Sequence, residues 1–373
     1  MRMQGPRPQK LQQSAGRPSE RAVIMEDTLK ATDAVIAITY RCNSRCSMCD
    51  IWRAKAAEDL LPKDYRALPS TLKNVNITGG EPFLRTDLGD IVFEIRKQCP
   101  KARLVISTNG FLTERIAEVA KSFTELGIRI SIDGPADVHD RIRGVNGAYE
   151  RALETIVKLK ELGHRDLGIS LTASKLNAGK LLEVKRLADD LRVEFTCTVV
   201  HSSPIYFGDT AELSPGEGIA TELVEIRNSH LASRRPKDWF RAYYVDGLAA
   251  YAEGKPKPIA CKAARGAFFL DPAGNVYACN ILDVKLGDIR DGGPYFGDEE
   301  TLAFVGKCPM RCWMVCTVAP AIRRNPIPAL IWVAERKLGI ARLRLNRQAA
   351  VCEADPGSAR PSVAPGSQIE VKS

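Results

Sequence analysis

Three cysteines fall close together as Cys42-x3-Cys46-x2-Cys49, in the stretch Tyr40-Arg41-Cys42-Asn43-Ser44-Arg45-Cys46-Ser47-Met48-Cys49. Thiolates in this density select zinc or an iron–sulfur cluster. A structural zinc ion closes its shell with four ligands, so here it would need a fourth from elsewhere. A 4Fe–4S cube on three thiolates keeps one iron open for another ligand. A second group, Cys261, Cys279, Cys308, Cys312 and Cys316, lies far along the chain, with Cys352 beyond it. Five thiolates fill one four-ligand cluster but not two, and a four-cysteine zinc site fits the same residues. Cys99 ends a helical pattern and Cys197 lies inside an apolar run, which are places for core residues.

These residues need a scaffold, and the periodicity supplies one. Short β-branched runs at 34–39, 74–78, 103–107, 128–132, 167–172 and 193–200 alternate with helical patterns near 62–69, 87–98, 112–125, 148–162 and 179–190. Such alternation predicts parallel β/α units with helices covering the sheet, either an open doubly wound sheet or a partial barrel. In barrels the working residues sit at the C-terminal ends of strands, and the first cysteine group follows the first strand. The expected fold is α/β, a partial (β/α)6 TIM-like barrel over 31–205. Residues 206–316 are expected to hold helices near 216–233 and 237–253, a hairpin at 268–270 and 276–279, and the small cysteine-rich part. Residues 317–352 contain a basic amphipathic helix at 327–345, with Ile327, Ile331, Ala334, Leu338, Ala341 and Leu345 on its apolar face. Residues 1–30 and 353–373 are rich in Pro, Ser, Gly, Gln or Ala without periodicity and are expected to be disordered.

Each later strand also ends in an unusual motif. The second runs into Thr78-Gly79-Gly80-Glu81-Pro82, the third into Ser107-Thr108-Asn109-Gly110, and the fourth into Ser131-Ile132-Asp133-Gly134. Then come Pro135, His139-Asp140, Arg143-Gly144 and Gly147-Ala148-Tyr149. Together with the three cysteines, this ordered set over about residues 34–316 resembles the radical S-adenosylmethionine (SAM) superfamily, and the stretch after the fourth strand is similar to that of its peptide-modifying members. The resemblance implies a 4Fe–4S cluster on Cys42, Cys46 and Cys49, whose open iron is chelated by the amino and carboxylate groups of SAM. It implies that Gly79, Gly80, Glu81 and Pro82 lie at the methionine ammonium. Ser107, Asn109, Ser131, Asp133 and Thr172, with Asn177 beside it, would meet SAM's polar groups, ribose and adenosine. Arg143 is expected either to fork onto the SAM carboxylate or to cap a helix facing solvent. Many members have an aromatic residue where this chain has Met48, whose packing role a methionine can fill.

Cys261-x12-Gly274-x4-Cys279 looks like the opening of a SPASM/twitch extension, which binds auxiliary iron–sulfur clusters, although the Cys308-x3-Cys312-x3-Cys316 spacing departs from the full SPASM pattern. The resemblance therefore implies one auxiliary cluster of 4Fe–4S type, for electron transfer or substrate binding. It also implies a low-potential electron donor of flavodoxin or ferredoxin type. The expected activity is reductive cleavage of SAM to a 5′-deoxyadenosyl radical that abstracts hydrogen from an unidentified small molecule or peptide. The alternatives are a maturase of a ribosomal peptide or protein served by a separate recognition partner, and a non-catalytic cluster-binding protein. About 30 residues precede the first strand, so a fused peptide-recognition domain is not expected. The ending Glu370-Val371-Lys372-Ser373 lacks the Gly-Gly expected of a molybdenum-cofactor type cyclase. His201, Tyr206 and Asp209 follow the sixth strand as lesser candidates.

Composition bounds the partners. The net charge of +9 is concentrated in the ends. Residues 1–30 hold six basic and three acidic groups, 317–373 nine and four, and the middle 39 and 38. A nucleic-acid enzyme shows a basic face on its folded body, so no nucleic-acid partner is expected. No apolar run reaches the ~18 residues of a membrane span, and the N-terminus lacks a secretory apolar core. A cytoplasmic location is expected, where cysteines serve metals or catalysis. The helix at 327–345 carries Arg336, Lys337, Arg342 and Arg344, with Arg347 just beyond, and Trp332 off its stripe. It is expected either to cover the protein or to touch an anionic membrane surface weakly.

Overall fold

The computed structural model describes residues 30–337 apart from 55–57, 215–216, 256–258, 260, 262, 294 and 309–311. Six strands appear where the periodicity places them: β1 Asp33–Ala37, β2 Asn74–Thr78, β3 Arg103–Thr108, β4 Gly127–Ser131, β5 Leu167–Ala173 and β6 Glu194–Val199. Each pairs in parallel with the next. Between them lie α1 Leu88–Gln98, α2 Thr113–Ser122, α3 Ala136–Arg143, α4 Ala148–Glu161 and α5 Leu181–Asp190. The expected helix at 62–69 is only a 3-10 stretch, Pro62–Ala67. The short α3 was not anticipated as a helix.

The strands have two different faces. Val75, Ile77, Leu104, Ile106, Ile128, Ile130, Ile169 and Leu171 join the core beneath the helices. Asn76, Ser107, Ser170, Thr172, Thr196 and Thr198 point the other way and line a cavity of about 600 Å³. Alternation of side chains along a strand makes this possible. A parallel sheet packed on both faces would read as nearly continuous apolar runs. The polar inner face of β2–β6 is therefore the wall of a chamber.

The sheet does not stop at residue 205. β7 Ala267–Leu270 pairs in parallel with β1, and β8 Asn275–Tyr277 and β9 Lys285–Asp288 continue antiparallel, giving the order β6-β5-β4-β3-β2-β1-β7-β8-β9. The expected hairpin is present as β7–β8. Its turn is fixed by Asp271, which accepts from Asn275 N at 2.8 Å, and by Gly274 at φ +97°. Its first strand, however, belongs to the barrel sheet, so the 205/206 boundary is not a break in the fold. Strand pairing leaves β6 and β9 as edges. α6 Glu217–Ala232 packs on α7 Pro236–Ala252, which packs on β6; α9 Val315–Arg324 packs on β1 and β7. Helices α7 and α9 complete the chamber wall. α8 Glu299–Gly306 precedes the last cysteines.

The last described helix, α10 Ile327–Lys337, packs on α7 through a different face from the expected stripe. Ala329 and Val333 are its buried positions, while Ile327 is exposed. Trp332 packs edge-on against Tyr243 at 5.5 Å, and Lys337 Nζ donates to the carbonyls of Leu231 and Ser233 at 2.7 Å. Trp332 and Lys337 are thus held by the protein and do not reach out toward a membrane. Residues 338–345 of the expected helix, Cys352 and the segments 1–29 and 353–373 lie outside the described residues. No described helix is long and apolar enough to cross a membrane.

Candidate functional site

The pairing of β1 with β2 continues past both strands. Ile38 N donates to Thr78 O at 2.9 Å, Gly80 N to Thr39 O at 2.7 Å, and Glu81 N to Arg41 O at 2.8 Å. The ladder ends beside Cys42. This close approach explains the two glycines. A Cβ on Gly79 would lie 2.3 Å from Thr39 O, and one on Gly80 2.2 Å from Arg41 O. Gly79 also has φ +145°, which other residues rarely adopt. The expectation was that the glycines admit a ligand; here they admit the backbone of the cysteine loop.

Glu81 is buried, and its carboxylate accepts from Phe83 N at 3.1 Å, Thr108 Oγ1 at 2.8 Å and Asn109 N at 2.8 Å. Burial pushes its pKa up to about 7, against those hydrogen bonds, which favour the charged form. These bonds tie its carboxylate to its own turn and to the end of β3. Pro82 opens a buried 3-10 turn, Pro82–Leu84. Asn109 returns to the cysteine loop, donating from Nδ2 to Asn43 Oδ1 at 2.7 Å. Ser107 faces the chamber and donates to Asn76 Oδ1 at 3.1 Å, and Ser131 is half-buried at the end of β4.

Arg143 is buried, not solvent-facing. Its Nη2 lies 2.6 Å from Asp133 Oδ2, and its Nη1 donates to Cys46 Sγ at 3.7 Å. Asp133 is fully buried and also accepts from Thr172 N at 3.0 Å. The guanidinium expected to meet the SAM carboxylate therefore already holds a carboxylate of the chain. Asn177 ties the same strand ends together, donating to Asp133 O at 2.8 Å and Thr172 O at 2.9 Å. The end of α3 clamps the cysteine loop. Arg45 N and Ser44 Oγ both donate to Arg143 O at 2.9 Å, and Ser47 N donates to Ile142 O at 2.9 Å. Met48 packs with Val138, Ile142 and Val200.

The donor set fits a thiolate-held cluster. Ser44 N donates to Cys42 Sγ at 3.4 Å, and Ser44 Oγ lies 3.2 Å from Cys46 Sγ. Burial pushes the Cys42 thiol up to about 11 and Cys49 up to about 12. Such thiols stay protonated until a metal replaces the proton, and N–H groups aimed at sulfur then stabilise the thiolates. Among the described residues, no three Cys, His, Asp or Glu side chains converge to hold one metal ion. In a 4Fe–4S cube each thiolate would bond a different iron.

In the second group, Cys261, Cys279, Cys312 and Cys316 pack in one apolar cluster with Ala263, Ala278 and Met314. Burial raises the Cys279 thiol to about 12 and Cys316 well above its ordinary value, with the neighbouring thiols adding to both shifts. Ile281 N and Leu282 N donate to Cys279 Sγ at 3.4 Å, and Ala263 N to Cys261 Sγ at 3.5 Å. Half-buried Cys308 is not part of that cluster.

Two residues that sequence reasoning passed over anchor this group. Trp313, beside Cys312, is fully buried and donates from Nε1 to Tyr244 O at 2.7 Å. Its ring occupies the place a Cβ on Gly247 would take, 2.0 Å from Cζ2. A glycine inside the α7 pattern was the available signal. Asn280 Oδ1 accepts from Cys316 Sγ at 3.3 Å, and no sequence motif marks it. His201 is structural: Nδ1 donates to Val199 O at 2.6 Å, and Nε2 accepts from Trp313 N at 3.1 Å. It joins the end of β6 to the cysteine segment. Tyr206 braces the glycine motif, donating to Gly79 O at 3.1 Å. Asp209 caps an exposed turn, accepting from Ala211 N at 3.1 Å. Cys99 and Cys197 are buried, as expected.

The profile of the Radical SAM superfamily matches residues 36–191. The chain is 27% identical over 274 residues to a probable GTP 3′,8-cyclase of Sulfolobus acidocaldarius, covering 69% of this chain and 84% of that protein. It is 27% identical over 301 residues to the mycofactocin maturase MftC of Mycolicibacterium smegmatis, covering 72% and 71%. It is 33% identical over 236 residues to the pre-heme d1 synthase of Dinoroseobacter shibae, covering 60% of this chain but 52% of that one. The fold matches Streptococcus suis SuiB bound to S-adenosylmethionine with a TM-score of 0.55 at 14% identity, over 78% of this chain and 69% of that one. A cyclase, set aside on the last residues of the sequence, stands among these relatives, whose named reactions differ from one another. The cysteine loop clamped by the ends of β2, β3 and α3 lies inside the matched stretch 36–191, so this part of the chain is a radical SAM domain, similar to those of the enzymes named here.

Proposed function

We propose that Cys42, Cys46 and Cys49 hold a 4Fe–4S cluster with SAM on its open iron, and that the chamber holds the molecule that is modified. A reduced cluster held there would supply the one-electron chemistry that converts SAM to methionine and a 5′-deoxyadenosyl radical able to take hydrogen from carbon. The chain's own residues do the rest. The Gly79–Gly80 ladder and the Arg143 clamp fix the cysteine loop from two sides. Arg143 places a cation at Cys46 Sγ, where thiolate charge develops. Asn109 and Ser131 are assigned to SAM's polar groups. The burial of Glu81 and Asp133 keeps water from the same rim. The observation that carries this reading is the hydrogen-bonded convergence of two strand-end motifs and the end of α3 on one cysteine loop.

We further assign Cys261, Cys279, Cys312 and Cys316 to one auxiliary 4Fe–4S cluster, leaving Cys308 outside it. Cys316 also lines the chamber, so the cluster stands beside the bound molecule, suited to accept an electron from it or to orient it. A small low-potential electron carrier is the partner this chemistry needs. The likeness to a mycofactocin maturase supports a peptide- or protein-modifying version.

Anaerobically reconstituted protein is expected to hold about eight irons, and the Cys42/Cys46/Cys49 triple alanine variant about four. Dithionite with SAM should yield 5′-deoxyadenosine from the intact protein and none from the triple variant. A fully loaded protein that makes none under several reductants would refute the reading. Zinc with only four irons would remove the auxiliary cluster alone.

A further inference from the structure

The chamber has a second mouth, at the strand ends opposite the cysteine loop. Arg103 opens β3, Arg129 lies near the start of β4, Asp166 immediately precedes β5, and Glu194 opens β6. Lys237 and Arg241 lie in the first turns of α7, which packs on β6. From Arg103 to Thr108 the chain takes five steps of ~3.3 Å, so this mouth stands roughly 16 Å from the cysteine rim. Arg103, Arg129, Lys237 and Arg241 line the chamber here. Arg103 and Arg129 share Asp166, each at 2.6 Å. Arg241, Lys237 at 3.4 Å and Arg235 at 3.7 Å converge on Glu194. Arg235 and Arg241 also pair with Asp238, at 2.8 and 3.0 Å. In this network five cations share three carboxylates, a surplus of two positive charges, and none of the three carboxylates lines the chamber. Arg323 and Asp33 also line it but match each other. Burial pushes His230 down to about 4, so it adds no charge.

The surplus is also available. Arg103 donates to Asp166 from Nε and Nη2, which leaves Nη1 without a partner among the described residues. Partial burial and the neighbouring Arg241 guanidinium hold Lys237 below the ordinary lysine value, a crowding that an anion would relieve. Arg103 and Lys237 are about half exposed, so a ligand reaches them from solvent. An anion gives up hydration only where cations outnumber carboxylates, and this mouth meets that condition. We propose that it anchors the carboxylate or phosphate end of an elongated substrate, whose other end reaches the cysteine rim. Asn76, Ser107, Ser170 and Thr196 offer hydroxyls and an amide along the way, and a volume of about 600 Å³ accommodates a small molecule or a few peptide residues. Calling the occupant a substrate rests on the radical SAM reading above; the anion anchor does not.

The test uses three probes, titrated calorimetrically into reconstituted holoprotein with SAM. They are N-acetyl-pentaalanine with a free carboxylate, the same peptide as its C-terminal amide, and that amide with phosphoserine as its last residue. At least one anionic probe is expected to bind at least about tenfold more tightly than the plain amide at low salt. The gap should narrow as salt rises. A gain for the carboxylate alone, the phosphate alone or both tells which anion the mouth takes. The double variant Arg103→Gln, Lys237→Gln leaves three cations on three carboxylates and should reduce the gap to under about twofold while the protein still melts cooperatively. If it does not, Lys237→Gln alone should narrow the gap. Lys121→Gln with Lys160→Gln removes the same charge from α2 and α4 and should leave the gap intact. Equal or tighter binding of the plain amide overturns the proposal. So does binding of no probe, a gap that survives the mouth variants, or one lost in the Lys121/Lys160 control. Formation of 5′-deoxyadenosine from SAM and dithionite is scored separately on the unaltered protein. A protein that forms it but shows no gap refutes the anchor alone. One that shows the gap but forms none refutes the enzymatic reading and leaves the anchor standing.

Discussion

Replacing Arg143 by Met tests whether the Arg143–Asp133 pair is the strut that holds the cysteine loop. The guanidinium lies 2.6 Å from Asp133 Oδ2, and Asp133 is fully buried. Met keeps most of the apolar stem and removes the charge, leaving a buried carboxylate without its cation. Breaking one side of a buried ion pair costs about 3–5 kcal/mol. Asp133 Oδ1 still accepts from Thr172 N, so the loss falls on Oδ2. In the double variant Arg143→Met, Asp133→Asn, no charge is stranded. The remaining cost is that of a few hydrogen bonds, about 1–2 kcal/mol. The coupling from the double-mutant cycle should therefore exceed about 2 kcal/mol. Anaerobic urea unfolding of the three variants gives the energies, and iron content reports whether the loop still holds its cluster. The single variant should lose iron, and the double should recover part of it. If Arg143→Met costs under about 1 kcal/mol, or if the two single changes simply add, the strut argument is wrong. Arg143 would then be free for SAM, as the sequence suggested.

Gly80→Ala should deplete iron at the first site while sparing the second, because its Cβ meets Arg41 O and no flexible side chain can give way; Mössbauer spectroscopy distinguishes the two sites. Gly247→Ala should destabilise the protein by about 1–3 kcal/mol through overpacking against Trp313, and Trp313→Phe should recover part of it, both read from thermal melts. His139 and His230 are each held down to about 4 by burial, below the ordinary 6.5. The unfolded chain therefore takes up their protons first on acidification. The stability they carry is intact above pH 6.5 and is lost as pH falls toward 4, by at most about 3 kcal/mol each. Urea midpoints measured from pH 7.5 to 5 should fall, and less steeply in His230→Gln; parallel slopes would exclude His230 as a source.

Position and kind of the β/α units were legible because apolar residues recur at two periods, and each period answers to local geometry. The chemistry was legible for a different reason. Cys42, Cys46 and Cys49 lie within one loop, and each companion motif ends a strand, so chain order alone brings them to one rim. The cysteine spacing and the strand-end motifs determined what kind of site this is. The tertiary structure decided which atoms are still available. Glu81 and Arg143 read as ligands of SAM from their place in the motifs; the structure adds the partners Thr108, Asn109 and Asp133, which arrive from other strands. The same holds for the second group. Five cysteines spread over 261–316 leave their grouping open, and only the packing of the segment around Trp313 onto α7 joins Cys312 and Cys316 to Cys261 and Cys279, leaving Cys308 apart. The continuation of the barrel sheet into β7 was likewise hidden, because strand pairing across more than two hundred residues depends on which edge lies open, and no local period records that.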